Sequence, residues 1–483
     1  MSEVVVVGGG LAGSEAAWQA ARRGARVMLY EMRPRKFGPA HHTGMLAELV
    51  CSNSFRGAAL ENAVGLLKEE LARLDSLIVT SAREAAVPAG GALAVDRERF
   101  GALVESRLAA LPNVEIRREE VTAIPDAAAV IVACGPLPSD PLANAIDDLV
   151  GGRLHYYDAA APIVALDSLD LNAMYRKSRY DKGEGDDYLN IPLDRETYLR
   201  FVEDLRTLPK HQPHGFEEDA AGGDVPYFEG CLPIEELAQR GEDALRFGPL
   251  KPVGLRDPRT GKAPYAVVQL RKENAEGTAL NLVGFQTRLT WPAQKEAFGK
   301  LPGLQNAEWL RLGVMHRNTF VDSPRLLAAD LRLRSNPRVW LAGQITGAEG
   351  YVEAAACGAI AGISAARELA GLPAVGVPAD TAFGAVVAHL QNAESPDFQP
   401  ANVTWTFFSP LEQTIRDKRA RRAKLAERAL EKIDRFAEAV RPERIAARYA
   451  SAGASASASA RIDVTTSAPA SASAAAGNPR PSA

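Results

Sequence analysis

The sequence predicts an α/β protein: a doubly wound, Rossmann-like parallel sheet, interrupted by an α+β insertion domain and followed by a disordered C-terminal tail. Strand and helix patterns alternate from residue 1 to about 154, as a doubly wound sheet requires. Two glycine-rich segments follow apolar runs, VVVVGGGLAG at 4–13 and VWLAGQITGAEGY at 339–351. Between them the regular alternation disappears, and after residue 450 the chain consists of Ala/Ser repeats.

The first glycine segment has the pattern of a dinucleotide-binding turn between a strand and a helix. Gly8 permits the tight turn, Gly10 lets the backbone approach a pyrophosphate, and Gly13 lets the helix pack closely on the strand. The helix N-terminus that follows attracts phosphate. The residues expected to hold the nucleotide here are Gly8, Gly9, Gly10, Leu11, Ala12 and Gly13.

An acidic residue completes this unit. The second strand is predicted over 26–30 and ends at Glu31, whose carboxylate can accept hydrogen bonds from ribose hydroxyls. The alternative is a glycine-rich loop that binds no ligand. Strand, glycines, helix and carboxylate in this order favour a nucleotide.

The second glycine segment indicates which nucleotide binds. It lies between a predicted strand over 339–342 and a predicted helix over 352–370. A helix N-terminus aimed at the site suits a flavin, because the flavin ring becomes negative on reduction. A third short strand over 130–133, followed by Cys134 and Gly135, accompanies it. We therefore predict FAD rather than NAD, with further contacts from Gly343, Gln344, Ile345 and Gly347.

The domain boundaries follow from these changes in pattern. We predict a discontinuous FAD-binding domain over 1–154 and 316–440, with an insertion domain over 155–315 that contains strands near 265–270 and 280–285. The segment 450–483 has too few apolar side chains to offset its ordering entropy, so we predict a disordered tail.

Two helices are predicted near the end of the folded part, over 381–392 and 411–436. The second carries basic residues on one face, and these are either a solvated surface or a contact with a nucleic-acid backbone. The basic residues are Arg416, Lys418, Arg419, Arg421, Arg422, Lys424 and Arg428.

Composition excludes several classes of protein. A formal net charge of −4 gives no overall preference for nucleic acid, so an RNA partner would need locally clustered basic residues. Four cysteines without a CxxC spacing argue against a disulfide framework and against a metal site.

The chain begins with a strand rather than a signal peptide, and its longest small-residue run is too short to span a bilayer. We expect a cytoplasmic monomer with no membrane contact.

The cysteines differ in their surroundings. Cys134 and Cys357 lie in apolar segments and are predicted to be packing residues. Cys51 lies among small polar residues, and Cys231 precedes a predicted helix start at Pro233. A helix N-terminus favours the thiolate form of a nearby cysteine. Cys51 and Cys231 are therefore candidates for catalysis, with packing as the alternative for each.

Several motifs together resemble one family, the bacterial folate- and FAD-dependent tRNA (uracil-5-)-methyltransferases, TrmFO. The resemblance covers about residues 3–435. The motifs are CSNS at 51–54, SRYDKG at 178–183, FEGCLPIE at 228–235, LRFGPLKP at 245–252, MHRNT at 315–319 and AGQITG at 342–347.

The resemblance implies an activity. The expected product is 5-methyluridine at position 54 of the tRNA T-loop, with 5,10-methylenetetrahydrofolate as the one-carbon donor and NADH or NADPH as the reductant. It also implies that Cys231 attacks uracil and that Cys51 is a second functional cysteine near the flavin. His316 stacks on the folate pterin ring or is structural, and Glu349 and Tyr351 line the flavin side or only support the loop.

The RNA contacts implied by this activity lie on two basic segments. They are Arg176, Lys177, Arg179 and Lys182 in the insertion, together with the helix face from Arg416 to Arg428. Three alternatives stay open at this point. They are the related GidA flavoproteins that modify the wobble uridine, a small-molecule flavin oxidoreductase, and an FAD-stabilised RNA-binding factor.

Overall fold

The computed structural model describes residues 3–152, 154–159, 161–211, 232–313, 315–392 and 398–449, and of 154–159 and 315–317 it describes the backbone. Two of the predicted features, Cys231 and the tail over 450–483, lie outside the described residues.

The strands and helices are as follows. The strands are β1 (Glu3–Val7), β2 (Arg26–Tyr30), β3 (Ser54–Gly57), β4 (Ala86–Val87), β5 (Ala92–Val95), β6 (Val114–Arg117), β7 (Ala129–Val132), β8 (Leu154–Ala159), β9 (Ile163–Ala165), β10 (Tyr175–Arg176), β11 (Tyr188–Leu193), β12 (Ala266–Lys272), β13 (Ala279–Leu282), β14 (Trp309–Arg311), β15 (Met315–Phe320) and β16 (Val339–Leu341). The helices are α1 (Leu11–Arg22), α2 (Ala63–Arg73), α3 (Leu77–Glu84), α4 (Arg97–Ala109), α5 (Asp140–Val150), α6 (Arg195–Thr207), α7 (Ile234–Gln239), α8 (Ala244–Phe247), α9 (Trp291–Gly299), α10 (Ser323–Leu326), α11 (Tyr351–Leu369), α12 (Ala382–Leu390) and α13 (Lys418–Ala439).

The main sheet is parallel, with the strand order β16-β7-β1-β2-β6. The valines of β1 are almost fully buried because the strand lies in the centre of the sheet, with Val5 opposite Met28 on one side and Val130 on the other. The carboxyl ends of parallel strands meet at one edge. The glycine segments after β1 and β16 therefore lie at the same edge of the sheet.

Helices α1 and α11 pack unusually closely against each other. A Cβ atom at Gly358 would lie 2.1 Å from the carbonyl oxygen of Ala12, and one at Gly362 would lie 2.4 Å from that of Ala16. Only glycine fits at these two positions of α11. The close approach brings the N-terminal turns of both helices to the same side of the sheet.

The insertion has its own sheet and its own hydrophobic core. Its sheet has the order β10-β11-β12-β13-β9-β14, and the paired strands are antiparallel. A core cluster drawn from residues 161–304 packs there, separately from the cluster around the main sheet. The antiparallel pair β8 and β15 connects the two parts of the chain.

Two predicted elements differ from the structure by three residues or more at an end. The helix predicted from residue 411 begins at Lys418, because the Asp417 side chain caps it by accepting a hydrogen bond from the Ala420 amide at 2.7 Å. The strand predicted over 280–285 ends at Leu282, and Gly284 follows with a φ of 80° that a strand does not allow. No described helix has the length and apolar character needed to cross a membrane.

Candidate active site

A cavity of about 1020 Å³, including its open mouth, lies at the carboxyl edge of the main sheet. Both glycine segments contribute to its wall, together with the first turn of α11. The predicted cofactor residues on the wall are Gly8, Gly10, Leu11, Ala12, Glu31, Gly343 and Gln344.

The glycine turn after β1 has the geometry of a phosphate-binding loop. Gly8 has a φ of 102°, and a Cβ atom at Gly13 would lie 1.8 Å from the Gly8 carbonyl oxygen. A Cβ atom at Gly10 would meet no atom of the described residues within 4 Å, so this residue opens onto the cavity. Helix α1 starts there without a side-chain cap or an acidic first turn. This end of the cavity suits an anion such as a pyrophosphate.

Glu31 lies on the cavity wall but already accepts four hydrogen bonds. One comes from the Gly9 amide at 2.9 Å, and three come from the amide, Nε and Nη2 of Arg33 at 2.9–3.0 Å. Burial alone would raise the pKa of Glu31, but its hydrogen bonds and ion pair with Arg33 outweigh this and lower the pKa. Glu31 is therefore a carboxylate that fixes the turn, and its contact with ribose stays a prediction.

His41 is a polar group on the cavity wall that the sequence did not single out. Its buried Nδ1 atom has no hydrogen-bond partner among the described residues. Burial, followed by the positive charge of Arg33, lowers its pKa, so the imidazole is neutral at pH 7. A buried nitrogen without a partner on a cavity wall fits a polar ligand, and together with the glycine turn it supports FAD as the occupant.

The second glycine segment meets α1 at the cavity. Gly343 has a φ of 85°, and a Cβ atom there would lie 2.8 Å from the Cβ of Ala12. The side chain of Gln344 donates to both carboxylate oxygens of Glu349 at 2.9 and 3.0 Å.

Four predicted cofactor residues do not line the cavity. They are Gly9, Gly13, Ile345 and Gly347. Ile345 is fully buried in the core, and a Cβ atom at Gly347 would meet the ring of Phe398 at 2.7 Å.

The loop over residues 49–53, here called the Cys51 loop, lies beside this cavity. Val50 is on the cavity wall, and so is Tyr351 of α11. The Tyr351 hydroxyl accepts hydrogen bonds from the amides of Cys51 and Ser52 at 3.0 and 3.1 Å. Burial, followed by the proximity of Cys51, raises the pKa of Tyr351, so it stays a neutral phenol. The structure thus brings Cys51 close to the predicted flavin site.

Two arginines hold the carbonyl groups of the Cys51 loop. Arg311 of β14 donates to the carbonyl oxygens of Val50 at 3.2 Å and Cys51 at 3.0 Å. Arg97 of α4 donates to those of Leu49 and Cys51, and its Nε forms a 2.7 Å ion pair with Glu273. The loop is therefore held by hydrogen bonds from α4 and from β14 of the insertion sheet.

A third arginine holds the side chains that follow. Arg271 of β12 donates to the Ser52 hydroxyl at 2.9 Å and to the Asn53 side-chain oxygen at 3.1 Å. Asn53 in turn donates to the carbonyl oxygens of Val95 and Lys272, both at 2.9 Å. No local pattern marked Arg97, Arg271 or Arg311, because their partners lie far away in the sequence.

The structure leaves two predicted residues without a placed side chain. Cys231 lies outside the described residues, and His316 is described only as a backbone position of β15, opposite Asp158. The end of β15 does reach the cavity wall, since the Thr319 amide donates to the carbonyl oxygen of Pro136 at 2.8 Å.

The two other cysteines have different environments. Cys357 is fully buried, and burial raises its pKa to about 11, as expected for a packing residue. Cys134 instead lies on the cavity wall, where its sulfur is 3.6 Å from the carbonyl oxygen of Gly135.

Some of the predicted RNA-binding residues already have partners. Arg179 donates to the carbonyl oxygens of Lys251 and Val253, and Arg428 to those of Ser409 and Pro410. Lys177 forms an ion pair with Asp181 at 2.5 Å. Of the predicted residues on and beside α13, those that are exposed are Arg416, Lys418, Arg419, Arg421 and Lys424.

Comparisons with known proteins identify relatives over most of the chain. A family model described as "Glucose inhibited division protein A" matches residues 3–373. The solved structure of Aquifex aeolicus GidA superposes with a TM-score of 0.67 over 92% of this chain and 75% of that one, at 17% identity, which supports the fold alone.

Closer relatives share one name, methylenetetrahydrofolate–tRNA-(uracil-5-)-methyltransferase TrmFO. The protein from Geobacter sulfurreducens is 55% identical over 90% of this chain and 98% of its own length. The protein from Symbiobacterium thermophilum is 56% identical over 90% of this chain and 97% of its own length. The chain belongs to the TrmFO family.

Proposed function

We propose that this protein methylates carbon 5 of uridine 54 in the T-loop of tRNA. It takes the one-carbon unit from 5,10-methylenetetrahydrofolate and uses FAD with NADH or NADPH as the source of electrons. The observation that carries the proposal is the 55% identity to a TrmFO protein over 98% of that protein's length. The cavity between the two glycine segments supports it independently.

The residues that fit FAD are those on the cavity wall. Gly8, Gly10 and the first turn of α1 would hold the pyrophosphate, while Gly343, Gln344 and Tyr351 lie on the side reached by α11. When bound, FAD supplies the two electrons that convert a methylene group, at the oxidation level of formaldehyde, into a methyl group.

The reaction at uracil needs a nucleophile from the protein. Carbon 5 of uracil reacts poorly with a one-carbon electrophile until a nucleophile adds to carbon 6. A thiolate adding there produces an enolate that is nucleophilic at carbon 5, and the thiolate leaves again by elimination once carbon 5 has lost its proton. We assign this role to Cys231 on the family resemblance, since its surroundings lie outside the described residues.

Cys51 is the second cysteine that we assign to the reaction. Its backbone is fixed by Tyr351, Arg97 and Arg311, and the preceding residue Val50 lines the cavity. This placement next to the cavity wall supports a role for Cys51 on the flavin side of the site. His316 is the candidate for a contact with the folate pterin ring.

The target uridine has to leave the folded T-loop to reach a cavity of this kind. Backbone contacts to tRNA then depend on basic residues without a structural partner. Arg416 and Arg421 are exposed and fit this role better than Arg179 or Arg428, which hold backbone carbonyls. Binding through such residues weakens steeply as salt increases. A cytoplasmic location and a monomeric state stay predictions.

The experiment that tests this function is a methylation assay on tRNA that lacks 5-methyluridine. Purified protein with bound FAD is incubated with methylenetetrahydrofolate and NADH or NADPH, and the nucleosides are then analysed. We expect 5-methyluridine that depends on folate and is lost in Cys231→Ala and in Cys51→Ala. Cys357→Ala is the matched control, because Cys357 is buried with a raised pKa.

Other outcomes would point to the alternatives. Modification of the wobble uridine instead would support a GidA-like activity. Flavin turnover with a small molecule, without folate or RNA, would support an oxidoreductase. Full activity of Cys231→Ala and Cys51→Ala together would remove the cysteine assignments while leaving the methyltransferase function intact.

A further inference from the structure

An exposed surface on the insertion combines aromatic and basic side chains. Its members, here called the Tyr180 surface, are Tyr180, Phe247, Lys251, Val253 and Arg256. Phe247 is 78% exposed, Tyr180 is 59% exposed and Val253 is 50% exposed. Large apolar side chains exposed together on a folded protein indicate a binding surface. Two of the family motifs, at 178–183 and 245–252, contribute to it, and the proposed chemistry uses neither.

The structure holds Tyr180 in this exposed position. Tyr180 and Asp181 have φ values of 59° and 53°, a left-handed conformation that non-glycine residues rarely adopt. Its amide donates to the carbonyl oxygen of Gly254 at 3.3 Å, and a Cβ atom at Gly254 would meet the Tyr180 ring at 2.9 Å. Arg179 fixes the same loop by donating to the carbonyl oxygen of Lys251 at 2.9 Å. The exposed ring is thus presented by a fixed backbone.

The segment that carries Phe247 is positively charged, whereas the loop that carries Tyr180 also contains the carboxylates Glu184, Asp186 and Asp187. Residues 245–262 contain five basic side chains and one acidic side chain, whereas the whole chain has a net charge of −4. The acidic residue, Asp257, is buried and paired with Arg259 at 2.8 Å. Nearby Asp181 and Asp243 are also paired, with Lys177 and Arg246. Lys251 and Arg256 are exposed and belong to the same segment of the chain as Phe247 and Val253.

The Tyr180 surface borders the Cys51 loop through strand β12. Gln269 of this strand accepts a hydrogen bond from Arg179 at 3.0 Å, and Arg271 donates to Ser52 at 2.9 Å. Residues two apart on a strand lie on the same face, about 7 Å from each other. One face of β12 therefore contacts both the loop that presents Tyr180 and the loop that contains Cys51.

We propose that the Tyr180 surface binds the tRNA beside the active site. The rings of Tyr180 and Phe247 stack on unpaired bases, and Lys251 and Arg256 contact phosphates. Rings with adjacent positive charge are the features that bind single-stranded nucleic acid, and they tolerate different bases because every base has a π-face. This inference rests on the proposed function, and it adds the surface by which the substrate docks.

The test measures the Kd of unmodified tRNA for Phe247→Ala and Tyr180→Ala holoenzymes. Loss of one stacked ring is expected to raise Kd about 5- to 100-fold. Phe247→Trp and Tyr180→Phe should restore binding, whereas Phe247→Leu should not, because leucine keeps apolar area but has no ring. Trp291→Ala removes a ring of the insertion that is outside the Tyr180 surface and is 55% exposed, close to the exposure of Tyr180, and it should leave Kd unchanged. Flavin absorbance and Tm confirm that each variant is folded.

Three results would overturn the inference. They are an unchanged Kd in both alanine variants, an equal loss in Trp291→Ala, or full binding by Phe247→Leu. If a protein partner occupies this surface instead, tRNA affinity and methylation both stay at the level of the unchanged protein. Failure of the proposed function is distinguishable, because the unchanged protein would then form no 5-methyluridine at all.

Discussion

Two regions beside the cavity are built in opposite ways. The glycine turn after β1 is shaped by backbone alone, since Gly8, Gly10 and Gly13 leave no side-chain atoms where strand, helix and cofactor meet. The Cys51 loop is held by side chains, with Arg97 and Arg311 donating to its carbonyl oxygens. The glycine turn requires positions without a Cβ atom, whereas the Cys51 loop requires charged side chains from distant elements.

This difference has a consequence for mutation. A Cβ atom added at Gly8 would lie 2.5 Å from the carbonyl oxygen of Ala133, and one at Gly13 would lie 1.8 Å from that of Gly8, so either substitution forces the tightly packed backbone to move. A loop clamped by several hydrogen bonds loses them one at a time, so each substitution weakens the position of the loop without removing it. We therefore expect larger effects in the glycine turn than in the arginine clamp.

The largest expected effect is that of Gly13→Ala. The new Cβ atom would lie 1.8 Å from the Gly8 carbonyl oxygen, so α1 would have to move away from β1 and disturb the phosphate turn. We expect loss of bound FAD and a decrease of about 1–3 kcal/mol or more in the free energy of unfolding. Flavin absorbance of the purified protein and urea unfolding measure the two effects.

The matched control for this substitution is Gly299→Ala. A Cβ atom at Gly299 would meet no described atom within 4 Å, so this variant should keep both FAD and stability. A Gly13→Ala protein with a full complement of FAD would show that the turn tolerates side chains, and the contrast between the two regions would disappear.

A smaller effect is expected for Arg311→Met. This change removes the hydrogen bonds to the carbonyl oxygens of Val50 and Cys51 but keeps most of the side-chain volume. We expect kcat for tRNA methylation to fall about 10- to 100-fold with FAD content unchanged, because Cys51 loses its fixed position. Arg311→Lys should recover part of the rate.

The rate of Cys51 alkylation, measured against pH, separates a positioning role from a general loss of stability. Its pH profile should shift in Arg311→Met and stay unchanged in Arg325→Met, whose side chain is 76% exposed and pairs with Asp322. Equal kcat values for the two variants would mean that the clamp has no part in the reaction.

The smallest effect concerns Lys68 of α2, which ties this helix to β3, the strand that follows the Cys51 loop. Its Nζ donates to the carbonyl oxygens of Phe55 and Gly57, both at 2.8 Å, and burial lowers its pKa to about 7. The folded state therefore releases this proton at lower pH than the unfolded chain does. As a result, Lys68 makes the free energy of unfolding rise between pH 7 and the ordinary lysine pKa.

Lys68→Met removes this contribution. Urea unfolding at pH 7 and pH 9 should show a weaker increase in the variant, by at most about 1.4 kcal/mol per pH unit. The exposed Lys418→Met is the control and should follow the unchanged protein. Parallel pH dependences for the protein and Lys68→Met would show that the Lys68 ammonium stays charged throughout.

Local sequence patterns predicted the parts of the structure that are built from neighbouring residues. Strand β2 has the predicted bounds, α11 and α12 differ from prediction by one or two residues at their ends, and the two glycine segments share one cavity as expected. These features follow from runs of apolar residues and glycines, which act over a few positions.

Interactions between distant residues could not be predicted in the same way. Glu31 marks the end of β2 in the sequence, but only the structure shows that Arg33 surrounds its carboxylate. The contacts of Arg311 with the Cys51 loop join residues that are 260 and 261 positions apart. Arg179 was a candidate for an RNA contact, and only the structure shows that it also donates to the carbonyl oxygens of Lys251 and Val253; its contact with RNA stays a prediction.

The strand order of the main sheet also determines when the protein can become a flavoprotein during its synthesis. Strand β1 is made well before its neighbour β7, and β7 is flanked by β16, which ends at Leu341. The cavity further needs Tyr351 and Ala354, so nascent chains shorter than this lack part of its wall. Pairing across such sequence distances is slow. The complete wall of the cavity can therefore form only after the ribosome has added Ala354, more than 200 residues after Leu142, which lines the same cavity.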